Sequence, residues 1–175
     1  VLNMDDRPVA GMAKKTKAEV VLVGFGKEAT LRATDMQLFQ EFSGDIDKLE
    51  VGSSFKLHHE GNVVPVFLPH VLGKHQMYAA LLAAAVGTLY ELNLVHISES
   101  LRTFDAPPGR MHLIKGIKKT LIIDDSYNSS PIAAHAAVKV LGDAKTESRK
   151  IVVMGTMAEL GTHTKKAHAD LGKWM

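Results

Sequence analysis

Apolar positions change their period along the chain, and those changes mark out its elements. Val1-Leu2-Asn3 reads as a strand end. Asp5-Asp6-Arg7-Pro8 reads as a helix start, because carboxylates precede a proline suited to the first turn. A short helix is predicted from about Pro8 to Lys15. Glu19 to Val23 is a compact β-rich run closed by a turn at Gly24 to Gly26. Thr30 to Phe39 alternates, with Leu31, Ala33, Met36 and Leu38 among polar residues, a half-buried strand with one slip of the kind a bulge makes. Ser54 to His58 and Val63 to Leu68 read as strands around the turn Glu60-Gly61-Asn62. The period then moves to that of a helix. Gly73 to Leu92 places Met77, Leu81, Ala84, Ala85, Thr88 and Leu92 on one face, and His96 to Thr103 makes a second, shorter helix.

Asp105-Ala106-Pro107-Pro108-Gly109 is the strongest linker in the chain. Beyond it, Met111 to Ile114 and Thr120 to Ile123 predict a hairpin around Gly116-Ile117-Lys118. Pro131 to Leu141 predicts a helix, Lys150 to Met154 a buried strand, and Thr164 to Met175 a helix. A buried strand returning after a helix implies a parallel crossover. The expected class is α/β, in two incomplete parts. Both chain ends fall inside apparent elements, so the expectation is a piece of a longer protein.

Composition narrows the function classes. Apolar residues make up 46% and charged residues 23%, ordinary for a globular domain. A net charge of +2 gives no support to a strongly basic nucleic-acid binder, and no apolar run reaches the roughly 20 residues of a membrane helix. Neither nucleic acid nor membrane is an expected partner. The absence of cysteine excludes disulfides, thiolate catalysis and cysteine zinc sites, and is compatible with the cytoplasm.

Several motifs bear on chemistry. Gly24-Phe25-Gly26-Lys27-Glu28-Ala29 matches G-x-G-x-x-A, but a dinucleotide fold needs a helix next and a strand pattern follows. No G-x-x-x-x-G-K-[ST] phosphate loop occurs, and the nine histidines form no metal-ligand spacing. Ile122-Ile123-Asp124-Asp125-Ser126-Tyr127-Asn128 is sharper. An apolar strand delivers carboxylates, a hydroxyl, a phenol and an amide to its C-terminal end, where open α/β sheets bind ligands. An Asx turn followed by a helix cap is the plainer reading. Ile151 to Met154 ends similarly at Gly155-Thr156-Met157-Ala158-Glu159-Leu160-Gly161, where Glu159 is either a binding carboxylate or a solvated loop charge.

Five stretches in order carry a resemblance: Leu2-Asn3-Met4-Asp5-Asp6, Leu72-Gly73-Lys74-His75-Gln76, Pro108-Gly109-Arg110-Met111, Asp124-Asp125-Ser126-Tyr127-Asn128-Ser129-Ser130-Pro131, and the loop Gly155 to Gly161. His168 fits a histidine that often follows the last. Together they resemble the Mur ligase family, ATP-dependent amide-forming enzymes of peptidoglycan synthesis. The wording around Tyr127 is similar to the branch that adds D-Ala-D-Ala to UDP-MurNAc-tripeptide.

The resemblance implies a cytoplasmic ligase of cell wall biogenesis, acting in cell shape and division, with ATP and Mg as cofactors. Its partners would be ATP, UDP-MurNAc-tripeptide and D-Ala-D-Ala. Residues 1–107 would be the C-terminal part of a central ATP-binding domain, and residues 108–175 the N-terminal part of a Rossmann-like C-terminal domain. His75 would border the adenine, Arg110 would reach phosphate and Asp125 would hold the ribose. Tyr127, Asn128 and Glu159 would lie on the side of the incoming dipeptide.

In the family the phosphate loop and the Mg ligands precede Leu2. No catalytic residue or metal ligand is therefore expected in this chain, which alone is expected to be inactive. The chain departs from the family wording at Gln76, Ala79 and Thr156. Those changes also suit an alternative, a non-catalytic nucleotide-binding or scaffold protein of the same fold.

Overall fold

The computed structural model describes residues 1–41 and 50–175. The chain is α/β and divides into two compact units, Val1–Asp105 and Ala106–Met175, each described by itself.

The first unit is built on a five-stranded sheet of order β1-β2-β3-β4-β5. Its strands are β1 (Leu2–Asn3), β2 (Leu22–Gly24), β3 (Leu31–Glu41), β4 (Glu50–His59) and β5 (Asn62–Pro69). The first three run parallel, and β3, β4 and β5 form an antiparallel meander. Alternation along the meander sorts its side chains. Leu31, Ala33, Phe55, Leu57, Val66 and Leu68 are buried, whereas Arg32, Thr34, Lys56 and His58 lie on the opposite face. The slip expected in β3 is a register shift between Thr34 and Gln37, with Asp35 in the left-handed region at φ 52°.

Helix α1 (Arg7–Gly11) is capped by the Asp6 carboxylate, which accepts from the Val9 amide at 3.1 Å. It ends earlier than predicted, and Met12–Lys15 continues as a tighter turn. Of the run Glu19 to Val23, only its end pairs in the sheet. Helix α2 (Lys74–Leu89) buries Met77, Leu81, Ala84 and Ala85 of the predicted face, with Ala80 beside them, but it ends before the expected Leu92, which lies beyond it and is exposed. Helix α3 (Leu94–Leu101) begins two residues before expectation, because Asn93 caps it by accepting from the His96 amide at 2.9 Å. Ile97 and Leu101 close the core over β5.

The second unit begins with an antiparallel hairpin, β6 (His112–Lys115) and β7 (Leu121–Asp124). Helix α4 (Pro131–Asp143) starts at Ser130, whose hydroxyl accepts from the Ala133 amide, with Pro131 in the first turn. Helix α5 (Thr164–Trp174) buries Leu171 in one cluster with Ala134 of α4 and Met157 of the loop between the helices.

The strand expected at Lys150 to Met154 is absent. Ile151 and Val153 are 66% and 93% exposed, and the segment pairs with nothing in the two described sheets. A continuous apolar run forms a buried parallel strand only where a sheet edge and two covering layers receive it. The described second unit has only the β6–β7 hairpin and one helix pair. The expected parallel crossover of this unit is therefore corrected to β-β-α-α.

Candidate functional site

The second unit gathers several of the predicted residues where β7 ends. Asp125 follows β7, and its Oδ1 accepts from the Met111 amide at 3.1 Å. The Tyr127 amide donates to the Gly109 carbonyl at 3.0 Å. These bonds tie the segment 109–111 to the segment 125–127 without regular strand pairing. The Arg110 guanidinium lies 4.3 Å from the centre of the Tyr127 ring, a cation–π contact that orients it. Tyr127 is 69% exposed, so the stacked pair faces solvent.

Gly109 makes this approach possible. Its φ is 73°, and a Cβ there would lie 3.0 Å from both the backbone nitrogen and the Cβ of Tyr127. Met111 also sits in the left-handed region, at φ 56°. A methionine held there is a local strain that the surrounding bonds must offset.

Asp124 serves the turn. The Ser126 hydroxyl bonds its carboxylate and, against burial, together with the Ser126 and Gly109 amides and the nearby His112, holds it below the usual carboxylate range. Asp125 keeps Oδ2 without a hydrogen-bond partner among the described residues. Asn128 turns its side chain onto its own loop, its Oδ1 accepting from the Ser129 amide at 2.9 Å.

Glu159 stands apart from this cluster. It lies on the loop before α5, exposed, at φ 62°. No hydrogen bond or ion pair among the described residues joins it to Arg110, Asp125 or Tyr127. His168 holds that loop: its Nδ1–H donates to the Thr164 carbonyl at 2.8 Å, so its Nε2 accepts from the Met157 amide at 3.1 Å. The paired bonds assign one neutral tautomer.

His75 belongs to the first unit, exposed in the first turn of α2. Gln76 beside it, in the same turn, is buried, and Ala79 is exposed. The surroundings of His75 contain a cluster that sequence reading missed. Asp5 accepts from the Phe25 amide at 2.8 Å, the Gly26 amide at 3.2 Å and the Tyr78 hydroxyl at 2.8 Å. Phe25 and Tyr78 meet edge to face, and the Lys74 ammonium lies 4.2 Å from the Phe25 ring centre.

Burial would raise the Asp5 carboxyl, but the Phe25, Tyr78 and Gly26 bonds with the Lys74 charge outweigh it and leave it below the usual range. Burial, then the Asp5 carboxylate, pushes the Tyr78 phenol well above its ordinary value. Gly24 is needed here too, since a Cβ would lie 2.8 Å from Asp5 Oδ2. The only sequence sign of this cluster is the Asn3-Met4-Asp5-Asp6 stretch.

No group of three metal-ligating side chains occurs among the described residues. No helix among them is long and apolar enough to cross a membrane.

Residues 109–175 match the profile of the Mur ligase glutamate ligase domain. The UDP-N-acetylmuramoyl-tripeptide–D-alanyl-D-alanine ligase of Escherichia coli is 35% identical over 122 residues, 70% of this chain and 26% of that protein. The ligase of the same name from Mycobacterium tuberculosis is 32% identical over 180 residues, 99% of this chain and 33% of that protein. Among solved structures, MurF from Acinetobacter baumannii superposes with a TM-score of 0.79 at 26% identity, covering 98% of this chain and 34% of that one. The chain thus spans about a quarter to a third of the length of the relatives it matches.

Proposed function

We infer that this chain, which resembles the Mur ligases along nearly its whole length, is part of an ATP-dependent amide ligase of peptidoglycan precursor synthesis. The reaction would add D-Ala-D-Ala to UDP-MurNAc-tripeptide. The tripeptide carboxylate attacks the terminal phosphorus of ATP and ADP leaves, giving an acyl phosphate. The dipeptide amine then attacks the acyl carbon and inorganic phosphate leaves. The observation that carries this reading is the similarity over 99% of the chain to a ligase of that name.

Residues 1–107 would contribute the end of a central ATP-binding domain, and residues 108–175 the start of a Rossmann-like domain. ATP binding fits the side chains present. Arg110, oriented by Tyr127, offers a planar set of donors to phosphate oxygens, and Asp125 has an oxygen suited to ribose hydroxyls. His75, exposed at the start of α2, would border the base. Tyr127, Asn128 and Glu159 would line the dipeptide side. Mg would be held, as the resemblance implies, by residues that precede Leu2 in the family. The compartment would be the cytoplasm.

Phosphoryl transfer needs a phosphate cradle and a metal to neutralise developing charge. The 175 residues contain no G-x-x-x-x-G-K-[ST]. This chain alone would therefore be inactive. A phosphate-release assay with Mg-ATP, UDP-MurNAc-tripeptide and D-Ala-D-Ala tests this: no release above the enzyme-free rate is expected, and turnover by the chain alone would refute it. A second reading, a non-catalytic nucleotide-binding or scaffold protein of this fold, is favoured by one observation. Ala79, exposed on α2, stands where the family carries an amide that could face the base.

A further inference from the structure

The G-x-G-x-x-A motif makes no dinucleotide site, because β3 rather than a helix follows it. Its lysine nonetheless borders a second feature of the first unit. A depression of about 250 Å³ opens between the connection 25–30 and the tip of the β4–β5 hairpin. Lys27, Thr30, Arg32, His58, His59 and Glu60 line it.

Arg32 and His58 are direct cross-strand partners on β3 and β4. The Arg32 guanidinium is the permanent charge of this cross-strand pair. One position further along the same face, the sheet handles a cation differently: the Lys56 ammonium pairs with Asp35 at 2.8 Å. Neither Lys27 nor Arg32 has an ion-pair partner among the described residues, although Glu28 adjoins Lys27 in sequence and Glu60 lines the same depression. Arg32 is also half-buried, where an uncompensated guanidinium is costly.

The imidazoles are held in place. His58 Nε2 bonds the Thr34 hydroxyl at 2.7 Å. His59 Nδ1 donates to the Thr30 carbonyl at 3.3 Å, which leaves its Nε2 on the other side of the ring. The depression is thus lined by two permanent cations and two oriented imidazoles against one carboxylate.

We propose that this depression binds the phosphate group of a small molecule, with Arg32 and Lys27 as its charged ligands. Its volume is below the roughly 300–1,000 Å³ of clefts that enclose whole drug-sized ligands, so the phosphate enters and any attached group stays in solvent. Arg32 supplies a forked pair of donors and Lys27 a point charge, whereas the Nε2 of a neutral His59, whose Nδ1–H is given to Thr30, is an acceptor and no phosphate ligand. Glu60, which also lines the depression, opposes binding.

The test is a titration of the full chain, ¹⁵N-labelled, with inorganic phosphate and separately with glycerol 3-phosphate. Saturable shifts of the amides of residues 27–32 and 58–62 are expected with at least one of them. Tighter binding of the free ion assigns the site to inorganic phosphate, and tighter binding of the ester assigns it to phosphomonoesters. The Lys27→Ala/Arg32→Ala double variant should weaken binding at least tenfold. Glu60→Gln, which only removes a charge at an exposed turn, should tighten it two- to fivefold. Absence of shifts with both ligands, or equal binding by wild type and double variant, would overturn the proposal.

Discussion

The guanidinium of Arg110 lies over the ring of Tyr127 at 4.3 Å, so a residue just past the linker is oriented by one just past β7. The ring does this, not the phenol. Tyr127→Phe should bind nucleotide within about twofold of wild type. Tyr127→Ala should weaken it about two- to fivefold, the equivalent of an exposed cation–π contact of roughly 0.5–1 kcal/mol. Isothermal titration with ATP measures both. Equal loss in the two variants would move the role to the hydroxyl.

Asp125 has two jobs in this account, one for each oxygen. Asp125→Ala removes both the bond to the Met111 amide and the proposed ribose contact, whereas Asp125→Asn can keep the first. The Ala variant should lose about 0.5–1.5 kcal/mol of stability in the second unit by urea unfolding. Nucleotide affinity should fall about tenfold or more in both variants, since hydrogen bonds to a charged group are worth about 1.5–3 kcal/mol. Full affinity in Asp125→Asn would remove the carboxylate from the site.

Gly109→Ala tests whether the close approach is obligatory. A methyl group there meets Tyr127 backbone at 3.0 Å and forces a left-handed alanine. The left-handed conformation alone costs about 1–2 kcal/mol. Trp174, packed edge to face on His135, reports unfolding of this unit by fluorescence. A variant as stable as wild type would show that the segment 109–111 rearranges freely.

Asp5 makes acid stability a prediction about the first unit. Its folded-state pKa is lowered, so its stabilising contribution is complete above the unfolded carboxylate value of about 3.9 and is lost as pH falls through the lowered folded value. Hydrogen exchange at the Phe25 and Gly26 amides should therefore accelerate beyond the intrinsic trend below about pH 4. In Asp5→Ala these amides should already exchange fast at neutral pH, with a stability loss on the order of 2–3 kcal/mol from three hydrogen bonds. Unchanged protection in the variant would show that the turn 24–26 stands without Asp5.

Local pattern was enough for the elements that local physics decides. The buried face of α2 follows from the spacing of Met77, Leu81, Ala84 and Ala85, and the β4–β5 hairpin from the turn at Glu60-Gly61. The end of β7 was legible because an apolar strand runs into carboxylates, and Ser130-Pro131 then opens a helix. The Asp5 cluster was not legible, since its bonds reach 20, 21 and 73 residues along the chain. The segment Lys150 to Met154 misled for the opposite reason. Its apolar run says that burial would be favourable, but nothing in a run states which edge receives it.

In the proposed function Arg110, oriented by the Tyr127 ring, and Asp125 form a nucleotide-side surface. Titration of the labelled chain with ATP, read at residues 109–111 and 124–128, tests it most directly. Weak but saturable shifts are expected there, unchanged by Lys27→Ala/Arg32→Ala and abolished by Arg110→Ala/Asp125→Ala. Absence of shifts in those two segments, or shifts that survive the second double variant, would contradict it.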